Sequence, residues 1–212
     1  MEIALVKARG LGIGHPVSCR LNPGVTWLSG SNAMGLATML KWWSLSRVPA
    51  HGTLFVNGQK WQDLTLRRQA HYKRRIGFKP RVDTLPEHIR VNRALAYWAA
   101  LWELDDPAIA AKNAMADWGL DLIAERRLGT LSVGEQQRLL LAASSLMDPE
   151  VWILEEPWNG LDTEARVLLM DRIMRMAPGA SVVVSDVAWP EDLLEWDCHG
   201  DITSDELIWV HR

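Results

Sequence analysis

Residues 127–163, RLGTLSVGEQQRLLLAASSLMDPEVWILEEPWNGLDT, decide how the chain is read. Ser132-Val133-Gly134-Glu135 opens a helix with the S-x-x-E capping pattern, in which the Ser132 side chain satisfies the orphan amide of Glu135 and the Glu135 side chain reaches back. A helix start of this kind favours an anion in front of it. Leu139, Leu140, Ala142, Ala143, Leu146 and Met147 make the rest of the helix too apolar for a surface position, and Asp148-Pro149 stops it. Val151–Leu154 is a short continuous apolar run, as expected of a parallel strand covered on both faces. It delivers two carboxylates, Glu155 and Glu156, at its C-terminal end, where open α/β sheets place their ligands.

These residues carry a resemblance. LSVGEQQR resembles the LSGGQ signature of the ATP-binding-cassette (ABC) family, VWILEEP resembles the family's Walker B strand with its catalytic Glu and following Pro, and Asn159-Gly160-Leu161-Asp162 resembles its D-loop. The order and spacing of the motifs match as well. The resemblance implies an α/β P-loop NTPase fold of ABC type, with a mostly parallel core sheet, a small antiparallel β subdomain and an inserted α-helical subdomain. It implies one domain over 1–212, its core formed by 1–85 and 131–212 and its helical lobe by about 86–130.

Working outward, Val25–Leu28 is a strand, followed by a glycine loop and a helix with Leu36, Leu40 and Trp43 on one stripe, which is the P-loop context. By resemblance the nucleotide-binding positions are Gly30, Ser31, Asn32, Gly35, Leu36, Ala37 and Thr38. The pattern G-x-x-x-x-G-K-[ST] keeps Gly30 and Gly35, but Leu36 stands in place of the lysine that holds the β- and γ-phosphates and Ala37 in place of the hydroxyl that ligates Mg²⁺. Charge-assisted hydrogen bonds of that sort are worth about 1.5–3 kcal/mol each. Backbone amides and Thr38 remain as phosphate donors.

Other family positions depart too. The Q-loop glutamine is Arg81, the switch histidine is Asp186, and the Walker B Asp is Glu155. No Tyr, Phe or Trp occurs between Met1 and Thr26, so the family's adenine-stacking residue is missing and His15 is its only substitute. Glu156 keeps the place of the general base. Glu155, Glu156 and Asp186 are expected to converge, and three carboxylates need a counter-charge. Arg81 is expected either to pair with Glu155 or Glu156 as an internal stand-in for the cation, its planar fork being able to engage a carboxylate in bidentate fashion, or to point into solvent.

The remaining elements follow from pattern. Strands are expected over Met1–Lys7, Pro16–Leu21, Thr53–Val56 with an Asn57-Gly58 turn, Arg74–Phe78 and Ser181–Val184. Helices are expected at Val91–Glu103, from Asp106-Pro107 as N-cap and N1 to Gly119, and from Asp162 to about Met176. The charged run Lys60–Arg75 reads as a solvated face, and the tail from Ala188 to Arg212 as a short helix with one or two strands. Of the twelve tryptophans, Trp98 and Trp102 share a helical stripe with Leu95 and Ala99 and are assigned to core packing.

With 212 residues and 48% hydrophobic content the chain can bury a full core. A formal net charge of −3 supplies no basic field for nucleic acid. Cys19 and Cys198 have no metal spacing and suit a reducing compartment. No signal peptide or membrane span is read, so membrane work would fall to other chains. The resemblance implies a cytoplasmic, membrane-peripheral nucleotide-binding subunit that pairs with a second such subunit in a heterodimer and with transmembrane permease subunits.

In ABC dimers each ATP lies between one chain's P-loop and the other's signature, so Ser132, Val133, Gly134 and Glu135 would act in trans on a partner's ATP. ATP and Mg²⁺ would bind this chain's own loop weakly or only through the partner, and a Gly30→Ala change would do little. The alternative is a nucleotide-free structural or regulatory ABC-like subunit. A homodimeric active ATPase would need a cation in place of the lysine.

Overall fold

The structure is a computed structural model that describes residues 1–81, 85–187, 189, 195–203 and 206–211. Two sheets organise it. The first is antiparallel, in the order β2-β1-β4-β5, formed by β1 (Ile3–Gly10), β2 (Ile13–Leu21), β4 (His51–Val56) and β5 (Gln59–Lys60). The second has six strands in the order β10-β9-β3-β8-β7-β6, formed by β3 (Gly24–Ser29), β6 (Ile76–Lys79), β7 (Val151–Glu155), β8 (Ser181–Ser185), β9 (Cys198–Ile202) and β10 (Leu207–His211). It is parallel except at β10, which runs antiparallel to β9.

The apolar runs of β7 and β8 are buried because both faces of that sheet are covered. Trp152, Leu154, Val182 and Val184 join one hydrophobic cluster with Leu95, Met115, Leu139 and Leu169 of the helices. Their alternate neighbours Val151, Ile153 and Val183 join a second cluster with Leu28, Trp43 and the inward face of the antiparallel sheet, including Ile3, Leu5 and Leu54. This is the period of two that strand geometry imposes, and each side chain of this size removed from water contributes about 1.5–3 kcal/mol.

The helices are α1 (Ala33–Trp43), α2 (Leu66–Lys73), α3 (Val91–Leu101), α4 (Pro107–Asp117), α5 (Val133–Ser145) and α6 (Thr163–Met176). Helix α4 starts on Asp106, whose carboxylate accepts from the amides of Ala108 and Ile109, with Pro107 at the first position. Helix α6 starts on Asp162, which accepts from Ala165 at 2.8 Å. Helix α5 meets the sheet and the end of α4 through two polar contacts inside the core: Trp152 Nε1 donates to Ser144 Oγ at 3.0 Å, and Trp118 Nε1 donates to Ser145 Oγ at 3.2 Å. These two indoles can be buried in the core because each of their N–H groups has a partner.

Several elements differ from the expected ones. The Lys60–Arg75 run contains α2, capped by Thr65; it is largely exposed but seals the core with Trp61 and Tyr72. Strand β6 begins and ends later than expected, at Ile76 and Lys79, so that Lys79 belongs to the strand. Trp98 packs against the helical cluster, whereas Trp102 is half-buried at the end of α3. Of the tail, β9 and β10 are strands, and the expected short helix falls on residues outside those described. Among the described residues, no helix is long and apolar enough to cross a membrane.

Candidate functional site

The C-terminal ends of β3, β6, β7 and β8 surround a cleft of about 460 Å³ lined by Ala33, Leu36 and Ala37 on one side and Arg81, Glu155, Glu156 and Ser185 on the other. The loop side is apolar where a phosphate-binding loop needs a cation and a hydroxyl.

Asn32 explains the shape of the loop. It caps α1: its Oδ1 accepts from the Gly35 amide at 2.9 Å, and its carbonyl accepts from the Leu36 amide at 2.9 Å. Its Nδ2 donates to Gly12 O at 2.6 Å and to Thr203 O at 3.3 Å. Two amides counted on for phosphate are thereby engaged inside the chain. Thr38, the other expected donor, is buried and gives its hydroxyl to Leu11 O at 2.7 Å, so it does not line the cleft. Ser31 is exposed on the loop. Gly30 adopts φ +141°, and a Cβ there would stand 2.0 Å from the Ile202 carbonyl oxygen. Alanine at position 30 would therefore strain this loop on both counts. His15 is half-buried on β2, and neither ring nitrogen has a partner among the described residues.

The opposite wall carries the charge. Glu156 follows β7 in a left-handed conformation, φ +44°, and both carboxylate oxygens are engaged. Arg81 Nη1 donates to Oε1 at 3.2 Å, and Asn159 Nδ2 donates to Oε2 at 2.7 Å. Arg81 reaches Glu155 as well, through its backbone N–H to Oε2 at 3.1 Å. The expected pairing of Arg81 with these carboxylates is present, but it is single-pronged and lies at the surface, the Arg81 side chain being 62% exposed and that of Glu156 26%. Asp186 sits at the end of β8, its Oδ1 accepting from Val187 N at 2.8 Å and its carbonyl accepting from Trp27 Nε1 at 3.1 Å.

Sequence reasoning missed Lys79. The last residue of β6 is fully buried, and its Nζ donates to the carbonyl oxygens of Glu155 at 3.0 Å and Glu156 at 3.4 Å. Burial pushes its ammonium down to about 8, against the pull of the Glu155, Glu156 and Asp186 carboxylates, which raise it. The Glu155, Glu156 and Asp186 carboxylates all act on this lysine electrostatically, while its own hydrogen bonds go to backbone carbonyls and not to a carboxylate. In sequence Lys79 only ends the apolar run Ile76-Gly77-Phe78, a position that does not separate a core lysine from a loop one.

The signature stretch is fully formed. Ser132 Oγ accepts from Glu135 N at 3.2 Å, Glu135 Oε2 accepts from Ser132 N at 2.7 Å, and Arg126 binds Glu135 Oε1 at 2.7 Å while also donating to Thr130 O. The Ser132 amide, helped by Arg126, holds the Glu135 carboxyl below the usual carboxylate range. Val133 is exposed at the helix start. Gly134 packs on the loop 159–162, where a Cβ would lie 2.7 Å from the Gly160 carbonyl oxygen. Among the described residues, no His, Cys, Asp and Glu group has the arrangement of a metal site.

Comparison with known proteins follows the same lines. Residues 15–159 match the family model for the ABC transporter. The chain is 29% identical over 159 residues to the achromobactin transport ATP-binding protein CbrD of Dickeya dadantii, covering 72% of this chain, and 30% identical over 146 residues to the cytochrome c biogenesis ATP-binding export protein CcmA of Zymomonas mobilis, covering 69%. It spans 58% of the length of each of these relatives. Among solved structures, the dimeric bacterial ABC transporter cassette MJ0796 superposes with a TM-score of 0.86 at 17% identity, over 99% of this chain and 98% of that one. Sequence motifs, sheet order and these likenesses agree, and the chain belongs to the ABC transporter family of ATP-binding domains.

Proposed function

We propose that this chain is a degenerate nucleotide-binding subunit of an ABC transporter, one that presents its signature motif to the ATP of a catalytically complete partner while its own P-loop does little. Relatives named as a transport ATP-binding protein and an ATP-binding export protein support the transporter role, and a dimeric relative supports pairing of cassettes. In this reading residues 86–130 form an inserted lobe that meets transmembrane permease subunits, and the chain works at the cytoplasmic face of a membrane. Ser132 and Gly134 face the partner's nucleotide.

The observation that carries the proposal is the contrast between the two ends of the same unit. At the cleft, the residues do not fit a magnesium-bound triphosphate: Leu36 and Ala37 line the loop side, Asn32 occupies the Gly35 and Leu36 amides, and both Glu156 oxygens are held by Arg81 and Asn159. Glu156 stands as a vestigial base whose two oxygens are each already turned to a partner within the chain. At the signature end the capped helix start is complete and open. ATP is therefore a weak ligand of this chain alone.

A second reading, a nucleotide-free structural or regulatory subunit, is favoured specifically by the self-capping of α1. Titrating a fluorescent ATP analogue against the isolated chain and then against the chain with a candidate partner cassette separates them. Tight, signature-dependent binding only with the partner supports the first reading. Absence of binding in both mixtures supports the second, and tight binding by the isolated chain overturns both.

A further inference from the structure

Lys79 is the one fully buried lysine among the described residues, and neither the cleft nor any surface uses it. An ammonium without solvent is costly unless its donors are matched and its charge is countered. Both conditions are met by one short segment. Its hydrogen bonds go to the carbonyls of Glu155 and Glu156, the last residue of β7 and the first beyond it, and the surrounding charge comes from the carboxylates of these two residues and of Asp186 after β8. Arg81, from the segment after β6, is the other cation of the cluster.

What Lys79 holds is strained. Glu156 is a non-glycine residue at φ +44°, a conformation that persists only where neighbours over-determine it. Its carbonyl is fixed by Lys79, its amide by Ser185 O at 2.7 Å, and its side chain by Asn159 and Arg81. From there the contacts are continuous. Asn159 begins the 159–162 loop, its backbone N–H returns to Glu156 O, and Gly160 packs its carbonyl against Gly134 at the start of α5, with Val133 Cγ1 over the Gly160 backbone. Asp162 closes the loop by capping α6.

We propose that Lys79 is a positioning residue that does from within what a bound ligand would do from outside: it fixes the Glu155–Glu156 turn and, through Asn159 and Gly160, the start of the signature helix. The surface offered to a partner's nucleotide is then ordered with nothing bound at this chain's own cleft. The inference rests on the reading above that the signature end is the working end, and it assigns the missing phosphate-loop cation's ordering role to a residue 43 positions further along the chain, Lys79 against Leu36.

The test is amide hydrogen exchange on the intact chain, without nucleotide or partner, for the parent, Lys79→Met and Lys79→Gln. Methionine keeps the length without donors, and glutamine restores an uncharged donor. In Lys79→Met the bonded amides of Glu156, Asn159 and Leu161, and also those of Glu135 and Gln136, should exchange about tenfold faster or more while those of α4 are unchanged; Lys79→Gln should fall between. Unchanged exchange in these segments overturns the proposal, as does acceleration that stops at residue 161 or spreads evenly over the chain. Should the methionine variant fail to fold, the glutamine variant carries the same comparison. Because no nucleotide is present, this outcome is separate from the ATP titration, and either reading can fail without the other.

Discussion

Gly134 lies against the carbonyl of Gly160 so closely that any side chain at position 134 would begin 2.7 Å from that oxygen. The signature helix and the 159–162 loop are thus seated on one another at a point where only a hydrogen fits. Gly134→Ala must push the two apart, and a displacement on the order of 1 Å at a phosphate-facing helix start costs about 10²-fold in turnover. In a reconstituted complex, phosphate release by the partner should fall by that order while this chain's thermal midpoint changes little. Ser132→Arg should block release outright. Full activity of both variants would mean that the signature end is idle.

For the isolated chain, ATP hydrolysis should be at background, and Glu156→Gln should leave it there. Steady-state phosphate release in the presence of Mg²⁺ decides this. Turnover that Glu156→Gln abolishes would show a working base.

The pH dependence of stability should carry the mark of Lys79. Its ammonium titrates near 8 in the folded chain against an ordinary 10.5, so between those values the unfolded chain binds more protons and stability rises with pH. Below the window both states are protonated and the cost of burying the charge is fully present. Across the window the gain approaches about 3 kcal/mol, taken at 1.36 kcal/mol per pKa unit. Urea unfolding at pH 7.5, 9 and 10.5 should therefore show the stability of the parent rising relative to that of Lys79→Met by up to that amount. Parallel pH profiles would contradict it.

Arg81→Gln should be mild. The pair it breaks is surface-exposed on the arginine side, and exposed pairs are worth about 0–1 kcal/mol rather than the several kcal/mol of a buried one. Chemical denaturation should register a change within that range. A larger loss would place Arg81 in the core of the turn.

Ser144→Ala tests the polar pair inside the helical core. It leaves the Trp152 indole N–H without its partner in a fully buried setting, at a cost of about 1–3 kcal/mol. A denaturation midpoint equal to the parent's would mean that the indole finds another acceptor.

The features legible in the sequence are those whose cause is local. Ser132, Asp106 and Asp162 cap the helices they were expected to cap, because a cap involves residues only two or three apart. The apolar runs of β7 and β8 announced strands covered on both faces. The arrival of Arg81 beside Glu155 and Glu156 followed from strand ends meeting at one edge of a parallel sheet. Lys79 was not legible, because one residue at a strand end separates a loop lysine from a core lysine, and lysine is seldom fully buried. Helix α2 was hidden by its composition: Tyr72 is its single buried residue, so no apolar stripe marks the period. The engagement of the loop amides by Asn32 depends on Gly12 and Thr203, about 20 and 171 residues away, which no local pattern reveals.

The seat of Gly30 beneath Ile202 has a consequence for biosynthesis. Strand β3 emerges among the first thirty residues, yet its two sheet neighbours are β8 and β9, and the backbone that covers Gly30 and accepts the Asn32 amide is Ile202. On the ribosome the loop at 30–35 must wait for Ile202, far along the chain, before it has walls. Contacts this distant in sequence are slow to form and leave early strands unpaired in the meantime. The phosphate-type loop is made long before the strands and backbone that enclose it.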